Sequence, residues 1–496
     1  VMRWRRRRRD ADVAAGATIG SVLIVGGGTA GWMTAVALSH KLRHARVEVT
    51  LVESEAIGTV GVGEATVPPI RAFNAALGLD EAAFMRPTHA TYKLGIEFRD
   101  WARRGDRYFH PFGPFGEPIG GVPFHQHWLA AGALAGAFDD YSLAARMAHH
   151  GRFAAPGPAS PYGYAYQFDA AGYAAYLRGV AEARGVVRVE GRIVDVVRGA
   201  GDDLAAVVTD DGRRLAADLF VDCSGFRGLL IAEALGAGWD DWRHWLPCDR
   251  AWAMPTERTG PPAPYTRATA LDAGWAWRIP LTHRTGNGHV FASDFLSEDA
   301  ARDSLIALLD APALAEPRLL RFAAGKRRRQ WIGNTVAIGL SAGFLEPLES
   351  TSIHLAQVAI ERLLDLFPTG DGDPADAAEF DRVMANEYER VRDLIILHYA
   401  ATERDDTPFF RHVRTMALPD SLAEKLALFR ARGVVMPYRH GLFAEPSWLA
   451  VYLGQRVRPA GHDPRATGDA AVLAQMRAAI EAEALGMPRH EEVLAR

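Results

Sequence analysis

Near the N-terminus the apolar positions change period twice. Val22-Leu23-Ile24-Val25 is a short, largely β-branched run of the kind that forms a strand. Gly26-Gly27-Gly28-Thr29-Ala30-Gly31 follows, and residues 32–42 then carry a spacing that suits a helix. A second apolar strand over 47–52 ends at Glu53, so the pattern predicts a strand-helix-strand opening.

Further along, glycine, proline and aromatic residues crowd positions 107–128 and predict irregular structure there. Helical spacing returns over 173–184. Strand patterns follow over 192–197 and 204–209, with Asp211-Gly212 turning the chain back, and residues 219–222 read as a buried strand. A hairpin is predicted from 275–281 and 290–293 with its turn at Asn287-Gly288. These pieces imply a second sheet. From about residue 375 helical patterns dominate, over 380–398, 421–432 and 470–485, and predict a helical cap. The expected organisation is a basic tail over 1–18, a nucleotide-binding and catalytic domain over 19–370 with an interleaved substrate-side sheet, and a mainly helical substrate-side region over 371–496.

Composition narrows the classes of function. With 49% hydrophobic and 23% charged residues, the 496-residue chain is of the ordinary globular type, long enough for several domains or one elaborated fold. A net charge of -4 gives no general attraction to nucleic acid or anionic membrane, so neither is an expected partner. No apolar run approaches the roughly 18 residues that span a bilayer. Cys223 and Cys248 are too few for a disulfide framework and lack zinc-site spacing; two buried thiols in a reducing, cytoplasmic compartment are expected, and no metal. Arg3 and Arg5 to Arg9 resemble the charged start of an export signal. The apolar segment after them runs straight into the glycine loop, so a disordered tail or mis-assigned start is the expectation, with an interaction tail as the lesser alternative.

Gly26-x-Gly28-x-x-Gly31, between a predicted strand and helix, lets a pyrophosphate approach the backbone at a helix N-terminus. Glu53, about 20 residues on at the end of the second strand, can accept hydrogen bonds from ribose hydroxyls. Together they predict an adenine dinucleotide, with NAD and FAD both open at this point. A late strand over 334–338 runs into a turn containing Gly339, as in folds that return to the first unit to hold FAD. Asp218-Leu219-Phe220-Val221-Asp222-Cys223-Ser224-Gly225 looks like the strand-and-glycine element of flavin hydroxylases, which favours FAD.

Three other segments read plainly at first. Thr91 to Phe98 alternates polar and apolar residues, so Lys93 reads as a solvated strand residue with Glu97 on the same face. Glu349 reads as a helix-start carboxylate, and Trp275 and Trp277 as strand residues packing an aromatic face into a core.

Taken together, however, these segments resemble the flavin-dependent tryptophan halogenase family. Gly274-Trp275-Ala276-Trp277-Arg278-Ile279-Pro280 contains its Trp-x-Trp-x-Ile-Pro signature. Gly61-Val62-Gly63-Glu64-Ala65-Thr66-Val67-Pro68 is similar to its flavin-facing loop, and Glu346-Pro347-Leu348-Glu349-Ser350-Thr351-Ser352-Ile353 to its catalytic and halide-binding segment. The resemblance implies an α/β, FAD-binding Rossmann-like flavin monooxygenase fold with a second β-sheet substrate region and a C-terminal helical cap. It implies FAD, supplied as FADH2, held by Gly26, Gly28, Thr29, Ala30, Gly31, Glu53, Gly63, Glu64, Ala65, Gly339 and Leu348. Lys93 matches the family's essential lysine and Glu349 its partner, placed to stabilise the cationic ring or accept its proton. Backbone N–H groups of Thr351 and Ser352 match the halide site, Ser352 standing where the family commonly has glycine. Trp275, Trp277, Ile279 and Pro280 separate substrate from flavin.

The implied reaction uses O2 and chloride or bromide to make hypohalous acid, which travels to Lys93 and halogenates an electron-rich aromatic ring. No second dinucleotide fingerprint is present for NAD(P)H, so a separate flavin reductase is an implied partner, and a homodimer the implied assembly. The competing readings are a flavin-dependent aromatic monooxygenase and a catalytically silent FAD-binding protein. The stretch Pro437-Tyr438-Arg439-His440-Gly441-Leu442-Phe443, followed by Glu445-Pro446-Ser447-Trp448, does not match the contacts of enzymes acting on free tryptophan. Indole-like aromatics without an amino-acid group are therefore expected at least as much as tryptophan.

Overall fold

The computed structural model describes residues 19–56, 63–368, 373–436 and 441–496. The N-terminal arginines, Gly61-Val62, the boundary near 370 and Pro437 to His440 lie outside the described residues.

The opening strand Ser21–Val25 lies between Glu48–Glu53 and Leu219–Asp222, all parallel, with Val25 opposite Val52 and Asp222. Thr335–Ala337 extends this layer in parallel beyond Leu219–Asp222, and Val187–Glu190 closes its other side. Val22 to Val25 are at most 3% exposed, which explains the unbroken apolar run: a parallel strand covered on both faces has no polar side to show. The helix Thr29–Lys41 crosses over it, and Gly26 makes the turn between them at φ +112°, with its α-carbon against the Cys223 carbonyl. A Cβ there would lie 2.3 Å from that oxygen, so only glycine allows this close approach.

The second large sheet has seven strands: Arg318–Arg321, Arg250–Thr256, Thr285–Phe291, Gly274–Pro280, Thr266–Leu271, Gly95–Arg99 and Arg107–Pro111. A small antiparallel sheet of Gly63–Ala65, Ala165–Asp169 and Thr91–Lys93 joins the two layers. In it Ala65 and Thr91 both pair with Gln167, so the loop segment similar to the flavin-facing motif and the lysine strand are held one strand apart. The chain closes with helices including Pro374–Ala400, Asp420–Arg432, Glu445–Gly454 and Ala470–Gly486. One apolar cluster runs from Val22 to Ala484, so these helices share the core of the sheets.

Three expectations are corrected here. Asn287-Gly288 is not a turn: it lies inside Thr285–Phe291, opposite Arg278 and Trp277, and the chain reverses around Leu281 to Arg284 instead. Gly288 is needed because the Trp277 indole covers it, where a Cβ would meet the ring at 2.1 Å. Residues 107–128 are only partly irregular, since they begin with the edge strand Arg107–Pro111 and end in the helix Phe124–Ala131. Finally, the hairpin Ile193–Arg198 with Leu204–Thr209 does not join the tryptophan hairpin but forms a separate small sheet with Arg214–Leu215.

Candidate active site

A cavity of about 980 Å³ opens at the glycine turn and runs to the tryptophan strand. Gly26, Gly28, Thr29, Ala30, Glu53, Gly63, Glu64, Ala65, Gly339 and Leu348 all line it. The helix Thr29–Lys41 starts there with no side-chain cap and no acidic residue in its first turn, which leaves its N–H groups and positive dipole end for an anion. A Cβ on Gly28 would meet no protein atom within 4 Å, so the space above it is open. Gly31 behaves differently: it does not line the cavity, and its α-carbon packs on the Gly26 carbonyl. Glu53 projects over Gly27 and is paired with Arg188 at 2.6 Å. Half-buried Glu64 has its carboxyl pushed up to about 7 by burial. An uncapped helix start, an open glycine surface and a carboxylate at the end of the next strand fit the pyrophosphate and ribose of FAD.

Trp275, Trp277 and Ile279 lie two residues apart on one strand, so they share a face, and that face is the cavity wall. All three are buried, at 1%, 8% and 7% exposed. Pro280 does not line the cavity; its carbonyl accepts a hydrogen bond from Thr91 Oγ1 at 2.8 Å and ties the tryptophan strand to the lysine strand.

Lys93 is where the plain reading of the alternation fails. The side chain is 0% exposed instead of solvated, on the buried face of a strand whose other face is half-covered at Tyr92. Its Nζ donates to the Thr66 carbonyl at 3.0 Å and to Ser350 Oγ at 2.8 Å, and lies 5.3 Å from the Phe112 ring centre. Burial pushes the ammonium down to about 7 from an ordinary 10.5, against the opposing pull of the Glu349 charge. Ser350 also lines the cavity, so the lysine stands one side chain behind its inner end. The serine adopts φ +59°, ψ +40°, a left-handed conformation uncommon for a residue with a Cβ, and so turns the chain between Glu349 and the helix Ser352–Asp365. Glu97 is held by Arg99 and Arg267 at 2.9 and 2.8 Å, an ion-pair group separate from the lysine.

Glu349 is 1% exposed and is not a cap for the helix that follows. His398 Nε2 lies 2.6 Å from Oε1 and His110 Nδ1 lies 2.9 Å from Oε2. These imidazoles outweigh burial and hold the carboxyl down to about 2, so it is ionised and can only accept. Both facing ring nitrogens therefore carry hydrogens. His398 Nδ1 lies 2.7 Å from the Tyr108 hydroxyl, and Gln455 Nε2 donates to the His398 carbonyl at 2.7 Å. Thr351 and Ser352 open an uncapped helix, and Thr351 Oγ1 is buried without a partner.

Sequence pattern singled out neither His110 nor His398. One sits in the stretch read as irregular, the other ends a helix of regular spacing, and nothing local marks either as a neighbour of residue 349. Glu346 is likewise new: it is fully buried beside Tyr399, Cys248 and Trp275, and burial raises it to about 7 against the pull of those polar neighbours.

A buried ammonium is destabilising, and this gives a testable pH dependence. Because the folded value of Lys93 is depressed, the penalty is fully present below about pH 7 and fades as pH rises toward the unfolded value of 10.5. Between those limits the wild type gains stability relative to Lys93→Met. Thermal melts of both proteins from pH 6 to 10 should show the Tm difference moving steadily in favour of the wild type; a pH-independent difference contradicts a depressed lysine.

Fold and site define a dinucleotide-binding protein whose cofactor cavity ends at a tryptophan wall with a buried lysine and carboxylate behind it. Residues 21–470 match the family model described as tryptophan halogenase, and the chain belongs to that family. Tryptophan 6-halogenase SttH of Streptomyces toxytricini is 40% identical over 467 residues, covering 87% of this chain and 88% of that protein. Among solved structures, the flavin-dependent halogenase Xcc4156 from Xanthomonas campestris superposes with a TM-score of 0.93 at 47% identity, covering 97% of this chain and 98% of that one. BrvH, a flavin-dependent halogenase from Brevundimonas sp. BAL3, gives 0.91 at 48% identity, covering 96% and 99%.

Proposed function

We propose that this chain is an FADH2-dependent halogenase that uses O2 and chloride or bromide to halogenate an electron-rich aromatic ring, indole-like or tryptophan, at Lys93. The observation that carries this reading is the chain of contacts from the cavity through Ser350 to a fully buried Lys93, with Glu349 adjacent in sequence to that serine. Gly26, Gly28, Thr29, Ala30 and Glu53 hold the pyrophosphate and ribose, while Gly63, Glu64, Ala65, Gly339 and Leu348 border the rest of the cofactor. Reduced FAD, supplied by a separate NAD(P)H-dependent reductase, would when bound supply the two electrons that activate O2 to oxidise halide to hypohalous acid. The free N–H groups at Thr351 and Ser352 favour an anion at the cavity's inner end.

Trp275, Trp277 and Ile279 keep the substrate ring from direct contact with the flavin, so only a small oxidant reaches the ring. Lys93 donates a hydrogen bond to hypohalous acid and polarises its halogen. A closed route matters because free hypohalous acid oxidises methionine and thiol groups. Glu349 supplies negative charge beside the cationic ring intermediate. Two free, buried cysteines support a reducing, cytoplasmic setting.

The test is a reconstituted assay with a flavin reductase, NADH, FAD and bromide or chloride, using indole and tryptophan as substrates and mass spectrometry as readout. A monohalogenated product, dependent on both halide and reductase, is expected with indole. Hydroxylated product, or NADH-driven turnover that ignores halide and reductase, supports the monooxygenase reading instead.

A further inference from the structure

Glu349 is so placed that one of its two imidazole partners is left with a free nitrogen. Nδ1 of His110 lies 2.9 and 3.1 Å from the two carboxylate oxygens, and His398 Nε2 takes the same carboxylate at 2.6 Å. His398 is spent: its other nitrogen meets Tyr108, and the ring is 0% exposed. His110 is not. Nδ1 must donate to an ionised carboxylate, so Nε2 is the ring nitrogen left to take up a proton, and no described group hydrogen-bonds it.

The ring also has the right neighbours. His110 and Phe112 are two residues apart in extended chain, with the Phe112 N–H continuing the ladder to the Leu94 carbonyl, so their side chains share one face. Phe112 is the ring beside the Lys93 ammonium, and His110 in turn lies 6.2 Å, ring centre to ring centre, from Phe443. The lysine, the two aromatic rings and the imidazole are therefore near neighbours, with Glu349 on the Nδ1 side of the imidazole.

Resting on the halogenase reading above, we infer that His110 Nε2 is the base that removes the ring proton, and that Glu349 acts behind it by fixing the imidazole and stabilising the imidazolium. In the step, the ring's π pair forms the carbon–halogen bond as the halogen–oxygen bond of hypohalous acid breaks. The departing hydroxide takes a proton from the Lys93 ammonium. The ring C–H bond then breaks, its electron pair restores aromaticity, and its proton goes to His110 Nε2. Return of that proton to Lys93 leaves one water and one aryl halide for each hypohalous acid consumed. The carboxylate is the poorer acceptor of the two: it already receives two N–H donors, and these are what hold its affinity for protons down. The arrangement is the carboxylate–imidazole logic of a catalytic triad with a ring carbon as proton source.

His110→Asn tests it. The amide keeps an N–H donor for Glu349 and removes the distal base. With the reductase, bromide and indole, turnover should fall by about 100-fold or more, while FAD binding by flavin fluorescence stays at the wild-type level. Ring-deuterated indole should react at nearly the rate of ordinary indole in the wild type and show a primary isotope effect in the variant, because loss of the ring proton has become slow. A merely structural histidine gives no such isotope effect. If the variant does not bind FAD, His110→Gln replaces it under the same readouts. Turnover close to wild type, or loss of turnover without an isotope effect, overturns the assignment and leaves the halogenase reading standing. A wild type that halogenates nothing removes that reading, and this one with it.

Discussion

Lys93→Ala is expected to abolish halogenated product while FAD binding survives. The two outcomes separate because the lysine does not line the cofactor cavity; only Ser350, its hydrogen-bond acceptor, does. Removing a pre-organised donor aimed at the reacting atoms costs about 100- to 1,000-fold in rate, and here the same group also polarises the halogen, so the loss should reach the upper end or beyond. Truncation takes away a buried charge and its desolvation penalty, so the fold should persist despite the small cavity left behind. Hypohalous acid would still form and would then leave unbound, so oxidation of an added thioether should rise as aryl halide falls. Aryl halide at wild-type levels, with flavin bound, would remove Lys93 from the mechanism.

The second large effect concerns two glycines three residues apart, and they should fail in different ways. For Gly28→Ala the new methyl meets no protein atom within 4 Å, and the backbone angle of φ -73° is one alanine adopts readily. The FAD-free protein should melt at the wild-type temperature, yet flavin affinity should drop, because the methyl fills space a pyrophosphate needs. For Gly31→Ala the Cβ would stand 1.9 Å from the Gly26 carbonyl oxygen, a backbone atom that can retreat only by opening the turn. Overpacking of this kind costs about 1–3 kcal/mol and occasionally more, so the FAD-free Tm should fall as well as the affinity. Melts with and without FAD, beside flavin fluorescence titration, read both. Equal behaviour of the two variants would mean that Gly28 does not face the cofactor.

Much of the fold was legible because its signals are local. The run Val22 to Val25, the glycine turn, Glu53 and the helix after them each depend on residues within one strand-helix-strand unit, and each lies where the pattern predicts it. The same holds for Trp275, Trp277 and Ile279, whose two-residue spacing alone places them on one face. Legibility ended where a residue's role depends on a distant covering surface. Alternation at Thr91 to Phe98 signals a strand with one wet side, but Lys93 faces a loop from the 350 region that no local pattern announces. Asn287-Gly288 has the composition of a turn, and what makes it strand is the indole of Trp277 lying across the glycine.

The amino-acid order by itself determined the strand-helix-strand nucleotide unit, the aromatic wall and, through three separated motifs, the family. Periodicity and turn chemistry act over a few residues, and such properties survive without knowledge of what packs against them. Only the tertiary structure decided the electrostatics: which charge is buried, which carboxylate two imidazoles hold ionised, and which ring nitrogen is left open. Glu349 meets His110 from 239 residues away and His398 from 49. A proton's affinity for any of these groups is set by solvent exclusion and by neighbours within a few ångströms, and neither quantity exists until the chain has closed around them.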